Sequence, residues 1–217
     1  FISHNMAAIQ SLCHRAVVLG GGRVVFDGDV DEAVGAYLAI GRGTEQVHPP
    51  GVWDHSGHDN PFDPRGALVR RIAVETSGGP TDVVRTGSDV TIRLEVRGLR
   101  KGPAADQIAV QVTSDLDVPV FNVNTSMLAP TESRGRADEE TAVVKIARLP
   151  LTPGQYWLTV AVVEAHGGEP RDVLVRGARF TVIADDVYGS GYELTRRDGA
   201  VFVDAAWEYH PSEETET

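Results

Sequence analysis

Gln155-Tyr156-Trp157-Leu158-Thr159-Val160-Ala161-Val162-Val163-Glu164 decides the fold class, because its even positions Tyr156, Leu158, Val160 and Val162 are all apolar. Side chains of a strand alternate between two faces, so a period of two over this length predicts a strand with one buried side. Runs of the same kind occupy 67–76, 89–97, 107–114, 118–124, 141–148 and 171–183, and they are rich in β-branched residues. Ser77-Gly78-Gly79-Pro80, Gly102-Pro103 and Thr152-Pro153-Gly154 stand between runs and carry turn chemistry. Short strands at this spacing without intervening helices predict a mainly β chain. The expected architecture over residues 65–210 is an antiparallel β-sandwich of immunoglobulin-like or jelly-roll type.

The same alternation nominates the residues that point outward. With Tyr156, Leu158, Val160 and Val162 facing the core, Trp157 and Thr159 face away. Ile108, Val110 and Val112 inward leave Gln111 and Thr113 outside, and Phe121 and Val123 inward leave Asn122 and Asn124 outside. An exposed indole offers an apolar platform to the C–H face of a sugar ring. Amides both donate and accept hydrogen bonds, as sugar hydroxyls require. Gln111, Asn122, Asn124, Trp157 and Thr159 are therefore the candidate carbohydrate-binding set. The competing reading packs Trp157 against a loop or a partner subunit and leaves the amides solvated.

Ahead of the sandwich the pattern is different. Met6, Ala7, Ala8, Ile9, Leu12 and Cys13 have helical spacing over 5–14, after a Ser3-His4-Asn5 start able to cap orphan amides. The apolar runs 16–19 and 24–26 flank Gly20-Gly21-Gly22-Arg23, which predicts a hairpin. Val30, Ala33, Val34, Tyr37 and Leu38 then mark an amphipathic helix over 29–40, ended by Gly41 and Gly43. Residues 44–64 show no period and contain Pro49-Pro50-Gly51, so they are expected to be a linker. The acidic end, 211–217, is expected to be a disordered tail.

Composition narrows the function classes. A net charge of -11, from 20 Lys and Arg against 31 Asp and Glu, repels phosphate backbones and anionic lipid, which argues against a nucleic-acid partner. Cys13 is the only cysteine, so no internal disulfide can form, as suits a reducing compartment. No apolar run of about 18 residues is present, so direct membrane insertion is not expected. Phe1-Ile2 reads as the end of a buried strand, and the expectation is a piece of a longer protein.

Residues 1–37 resemble the end of an ABC-transporter nucleotide-binding domain. The matching parts run in order: Ile2-Ser3-His4-Asn5, a helix, Cys13-His14-Arg15-Ala16-Val17-Val18-Leu19, a glycine turn, Arg23-Val24-Val25-Phe26-Asp27-Gly28, and a helix with Asp31, Glu32 and Ala33. The resemblance assigns 1–43 to the remnant of that domain and puts His4 at the switch histidine, which approaches the γ-phosphate and helps hold the attacking water. Imidazole suits that place, since it donates to a phosphate oxygen while bonding elsewhere. The two lysines, Lys101 and Lys145, follow Arg100 and Val144 rather than glycine, so no Gly-x-x-x-x-Gly-Lys-Ser/Thr loop is present, nor an apolar strand ending in Asp-Glu ahead of His4, and this chain alone is not expected to hydrolyse ATP. ATP and magnesium would belong to the full-length parent, and no cofactor is expected in this chain.

An ABC ATPase followed by a separate β-sandwich resembles the Wzt-like subunits of O-antigen and related polysaccharide exporters. The β motifs that agree are Ser88-Asp89-Val90-Thr91-Ile92-Arg93-Leu94-Glu95-Val96, residues 108–124, Leu149-Pro150-Leu151-Thr152-Pro153-Gly154-Gln155-Tyr156 and Ala178-Arg179-Phe180-Thr181-Val182. The resemblance implies a polysaccharide substrate, a homodimer, a transmembrane permease partner, and a cytoplasmic position at the bacterial inner membrane. The segment 200–207 could then pair across the dimer. Two rivals stand beside this reading: a dimerisation or regulatory appendage that binds no glycan, and a glycosidase using Asp115, Asp117, Glu164 or Asp172. His48, His55 and His58 with Asp54 and Asp59 fit no zinc spacing, so no metal site is assigned. Asn124-Thr125-Ser126 is an incidental acceptor sequence, and Asp138-Glu139-Glu140 is expected to be a solvated turn.

Overall fold

The computed structural model describes residues 12–20, 22–30, 33, 48–128, 138–165 and 168–208. His4, most of the two expected helices and the tail 211–217 lie outside the described residues. Strands β1 (Arg15–Gly20) and β2 (Arg23–Asp29) form the expected hairpin, antiparallel, with Gly22 at φ +76 in the turn. A bidentate Arg15–Asp27 pair at 2.9 Å crosses it.

The remaining strands build a two-sheet sandwich. They are β3 (Val52–Asp54), β4 (Val69–Thr76), β5 (Gly79–Pro80), β6 (Val83–Arg85), β7 (Val90–Arg97), β8 (Gln107–Ser114), β9 (Pro119–Asn124), β10 (Glu139–Ile146), β11 (Gly154–Val163) and β12 (Pro170–Ile183). Sheet one has the order β10-β7-β4-β3, with β5 also on β4; sheet two has the order β6-β12-β11-β8-β9. Every pairing is antiparallel except β6 with β12. Between the sheets lie Ile72, Val74, Ile92 and Leu94 from one side and Val110, Val112, Leu158 and Val160 from the other, all buried. Each such side chain stabilises the fold by about 1.5–3 kcal/mol relative to exposure. Tyr156 is buried among them and stays satisfied because its hydroxyl donates to the Thr152 carbonyl at 2.8 Å.

Residues 48–64 correct the expectation of a linker. Val52 and Trp53 pair with Ala73 and Ile72, Trp53 is 8% exposed, and the Val74 amide donates to the Gly51 carbonyl. Gly51 is required there: at φ +71, a β-carbon would sit 2.1 Å from the Thr81 backbone nitrogen. A three-residue strand is too short to show a period, which is why the segment reads as irregular in sequence. Its histidines have local partners. The His48 ring lies 4.9 Å from Trp53, His55 Nε2 is 2.6 Å from the Gly177 carbonyl, and His58 Nε2 is 3.4 Å from Asp172. Among the described residues no group of three metal-ligating side chains is assembled.

Two further expectations change. Glu139 and Glu140 are not a turn but open β10, opposite Arg97 and Val96, with Lys101 Nζ 2.6 Å from Glu140. The segment 200–207 forms no strand: Val201 makes one isolated bridge to Leu151, and Phe202 donates its amide to the Pro150 carbonyl. Phe202 is held instead by side chains, edge-on to Tyr188 and below Arg148.

The register of β12 against β11 shifts twice, between Leu158 and Val160 and again between Val162 and Val163. Between the pairs Leu158↔Ala178 and Val160↔Leu174, β12 has more residues than β11, so 175–177 bulge out opposite Thr159. Gly177 permits the bulge, since a methyl there would lie 2.6 Å from Leu174 Cδ2 and 2.9 Å from Ile72 Cδ1. At the start of the same strand Arg171 is buried between Asp106 and Asp63, and Asp172 accepts the Leu68 and Val69 amides at 2.7 and 2.9 Å.

Candidate functional site

β11 is the middle strand of sheet two, so its outward side chains have neighbours on both sides. Trp157 lies opposite Arg179 on β12 and Thr113 on β8. In the next row Thr159 opposes Gln111, which opposes Asn122 on β9. One row further, Ala161 opposes Ala109, which opposes Asn124. Gln111, Asn122, Asn124, Trp157 and Thr159 therefore share one outer face in three successive rows. The two alanines leave a low floor beyond the Thr159–Gln111 row.

The five residues are not equally available. Asn124 Oδ1 accepts the amides of Ser126 and Met127 at 3.0 and 2.9 Å, so the carbonyl half of this amide is committed to a turn. Thr159 Oγ1 accepts the Arg176 amide at 3.2 Å and keeps its hydroxyl proton to donate. Gln111 and Trp157 are half-buried and Asn122 is exposed.

Three neighbours escape the sequence reading. The Arg176 guanidinium carbon lies 5.1 Å from the Trp157 ring centroid, and that of Arg179 lies 5.8 Å away. Both distances are within cation–π range. Arg176 in turn donates to Asp117 through Nε at 3.1 Å and through Nη2. Arg179 had a signal, since it alternates with the apolar Ala178 and Phe180 and so must face outward. Arg176 had none, because the bulge breaks the alternation that would place it. Asp117 reaches it from the tight turn between β8 and β9, where the Asp117 amide donates to the Ser114 carbonyl at 3.1 Å.

The outer face of sheet one is chemically unlike this. Arg93 pairs with Glu75 at 3.2 Å and Arg71 with Glu95 at 3.6 Å, a charge-laced surface that water solvates well. The four acids weighed for glycoside hydrolysis each engage a different partner. Asp115 holds Arg196, Asp117 holds Arg176, Glu164 holds Arg100 at 2.5 Å, and Asp172 is buried on backbone amides.

Comparison with known proteins returns one family. A family model described as the Wzt C-terminal domain matches residues 60–193. A solved structure titled as the C-terminal domain of Wzt superposes with a TM-score of 0.52 at 11% identity, over 73% of this chain and 96% of that one. At such identity the likeness speaks for the fold alone. A β-glucosidase from Listeria innocua in complex with glucose aligns over 51% of this chain and 16% of its own length, at 12% identity and a TM-score of 0.28, too distant to carry an argument. No curated protein matches.

Proposed function

The chain belongs to the Wzt C-terminal domain family, and from that premise we propose that its sandwich recognises a polysaccharide on behalf of an ABC exporter. The observation that carries the reading is the shared outer face of sheet two, where an indole, a hydroxyl and two amides stand in adjacent rows, with two alanines in the row beyond. Stacking on Trp157 would supply apolar contact, and Gln111, Asn122 and Thr159 would exchange hydrogen bonds with hydroxyls. Asn124 contributes its amide nitrogen. In the full-length parent, ATP and magnesium would be handled by the ATPase part, with His4 as its switch histidine. A homodimer bound to a transmembrane permease at the cytoplasmic face of the bacterial inner membrane would couple recognition to transport.

Calorimetry against a panel of bacterial oligosaccharides tests this. Trp157→Ala is expected to weaken binding about ten-fold or more, the size of one good aromatic contact. Unchanged affinity would contradict the site. A second reading, an appendage that only associates with itself or with the ATPase, draws on Val203 and Trp207, which are 64% and 90% exposed. Self-association without any retained glycan would favour it.

A further inference from the structure

Arg176 and Asp117 form their ion pair beside Trp157 from left-handed backbone conformations, at φ 52 and φ 59. Among the described non-glycine residues only Arg148 shares that region. A side chain with a β-carbon is disfavoured there, and such residues persist where surrounding contacts over-determine them, often at binding sites. Stability does not explain this pair, because both partners are partly solvated and exposed ion pairs return little. Yet the arrangement is fixed from several directions. Gly177 permits the bulge, the Arg176 amide is tied to Thr159 Oγ1, and the guanidinium is tied to Asp117 while it lies along the indole.

We infer that Arg176 and Asp117 set the specificity of the Trp157 face, selecting an uncharged hexopyranose that presents two adjacent hydroxyls. The inference rests on the proposed glycan recognition and goes beyond it by naming the ligand class and the residues that read it. A carboxylate only accepts and a guanidinium only donates, so together they offer the complement of a vicinal diol, one hydroxyl giving its proton and its neighbour receiving one. Standing beside the indole, the pair would meet the hydroxyls at the rim of a sugar whose C–H face packs against Trp157. Asp117 offsets the charge of Arg176, so the pair itself presents little net attraction to a carboxylate- or phosphate-bearing sugar, with Arg179 a further guanidinium 5.8 Å from the ring centroid. The overall charge of -11 repels such a ligand further. Thr159 lies at the junction: its oxygen holds the Arg176 backbone, which leaves its hydroxyl proton for an acceptor on a ligand.

Saturation-transfer NMR on the full chain, titrated with methyl hexopyranosides, their mono-deoxy derivatives and the corresponding methyl hexopyranosiduronates, tests the inference. The wild type is expected to bind an uncharged hexopyranoside about ten-fold more tightly than the derivative lacking one hydroxyl of the adjacent pair, the scale of one hydrogen bond to a charged group. Asp117→Asn and Arg176→Lys, with melting curves matching the wild type, are expected to lose that discrimination while still binding. Retained discrimination in both variants overturns the inference and leaves the glycan reading standing, as does tighter binding of a uronate. If the wild type retains no saccharide, or Trp157→Ala binds as the wild type does, the glycan reading itself fails and takes this inference with it.

Discussion

Arg171 and Arg176 lie on the same strand, each bonded to aspartate, and their surroundings give them unlike tasks. Arg171 is 6% exposed and joins β12 to Asp106, to Asp63 at 3.1 Å and to the Gly98 carbonyl at 3.3 Å. Asn60 donates to its backbone carbonyl, so one residue ties residues 60–63 and the loop before β8 to sheet two. Arg176 is carried outward by the bulge and meets Asp117 beside Trp157. Burial makes the difference. A desolvated charge cannot lose its partners without leaving others orphaned, whereas a partly solvated one is nearly free to change without harm to the fold.

That contrast can be broken at several points. Arg171→Ala is expected to cost about 3–5 kcal/mol in urea unfolding, since it removes the buried guanidinium shared by Asp63 and Asp106. A loss below about 1 kcal/mol would place Arg171 in the same class as Arg176. Gly177→Ala, between the two arginines, forces a methyl against Leu174 and Ile72 and is expected to cost about 1–3 kcal/mol, read by the same unfolding curve. It should also weaken binding at Trp157, because the bulge positions Arg176.

Acid provides a subtler probe of the buried cluster. Asp63 is held well below the usual carboxylate range, first by the hydrogen bond from the Arg65 guanidinium and also by the Arg65 amide and Arg171, against the opposing effect of burial. The folded state therefore binds that proton less readily than the unfolded chain. Its contribution is present above the ordinary aspartate value of about 3.9 and is lost as pH falls toward the folded value. Asp63→Asn should be less stable than wild type at neutral pH, with a shallower decline in urea midpoint between about pH 5 and 2. Parallel declines would show that Asp63 is not the group being titrated. The smallest effect belongs to Arg176→Ala, expected to change unfolding by no more than about 1 kcal/mol while altering what Trp157 binds. A large destabilisation would erase the distinction between the two arginines.

The sequence makes the sandwich legible because period-two alternation survives wherever a strand is long and one face is buried. β8 is expected at 107–114 and found at Gln107–Ser114, and β11 begins one residue before its expected start at Gln155. β3 is invisible because Val52-Trp53-Asp54 is too short to alternate, and its neighbours Asn60 and Asp63 are polar although buried, serving Arg171 rather than solvent. At the candidate site, Trp157, Thr159, Gln111, Asn122 and Asn124 follow from parity alone. Arg176 does not, since the bulge in β12 reverses parity locally, and Asp117 depends on a turn that brings it to a strand far away in sequence. Asn124 was legible as an outward amide, but its engagement with Ser126 and Met127 was not.

Chemical-shift mapping of the full chain during titration with short oligosaccharides addresses the central claim, that the outer face of sheet two meets the glycan. Perturbations should gather at the Trp157 indole N–H, the Gln111 and Asn122 side-chain amides and the Thr159 backbone amide, and leave Arg71 and Arg93 on sheet one undisturbed. Perturbations confined to the outer face of sheet one, or saturating binding with no response from Trp157, would contradict it.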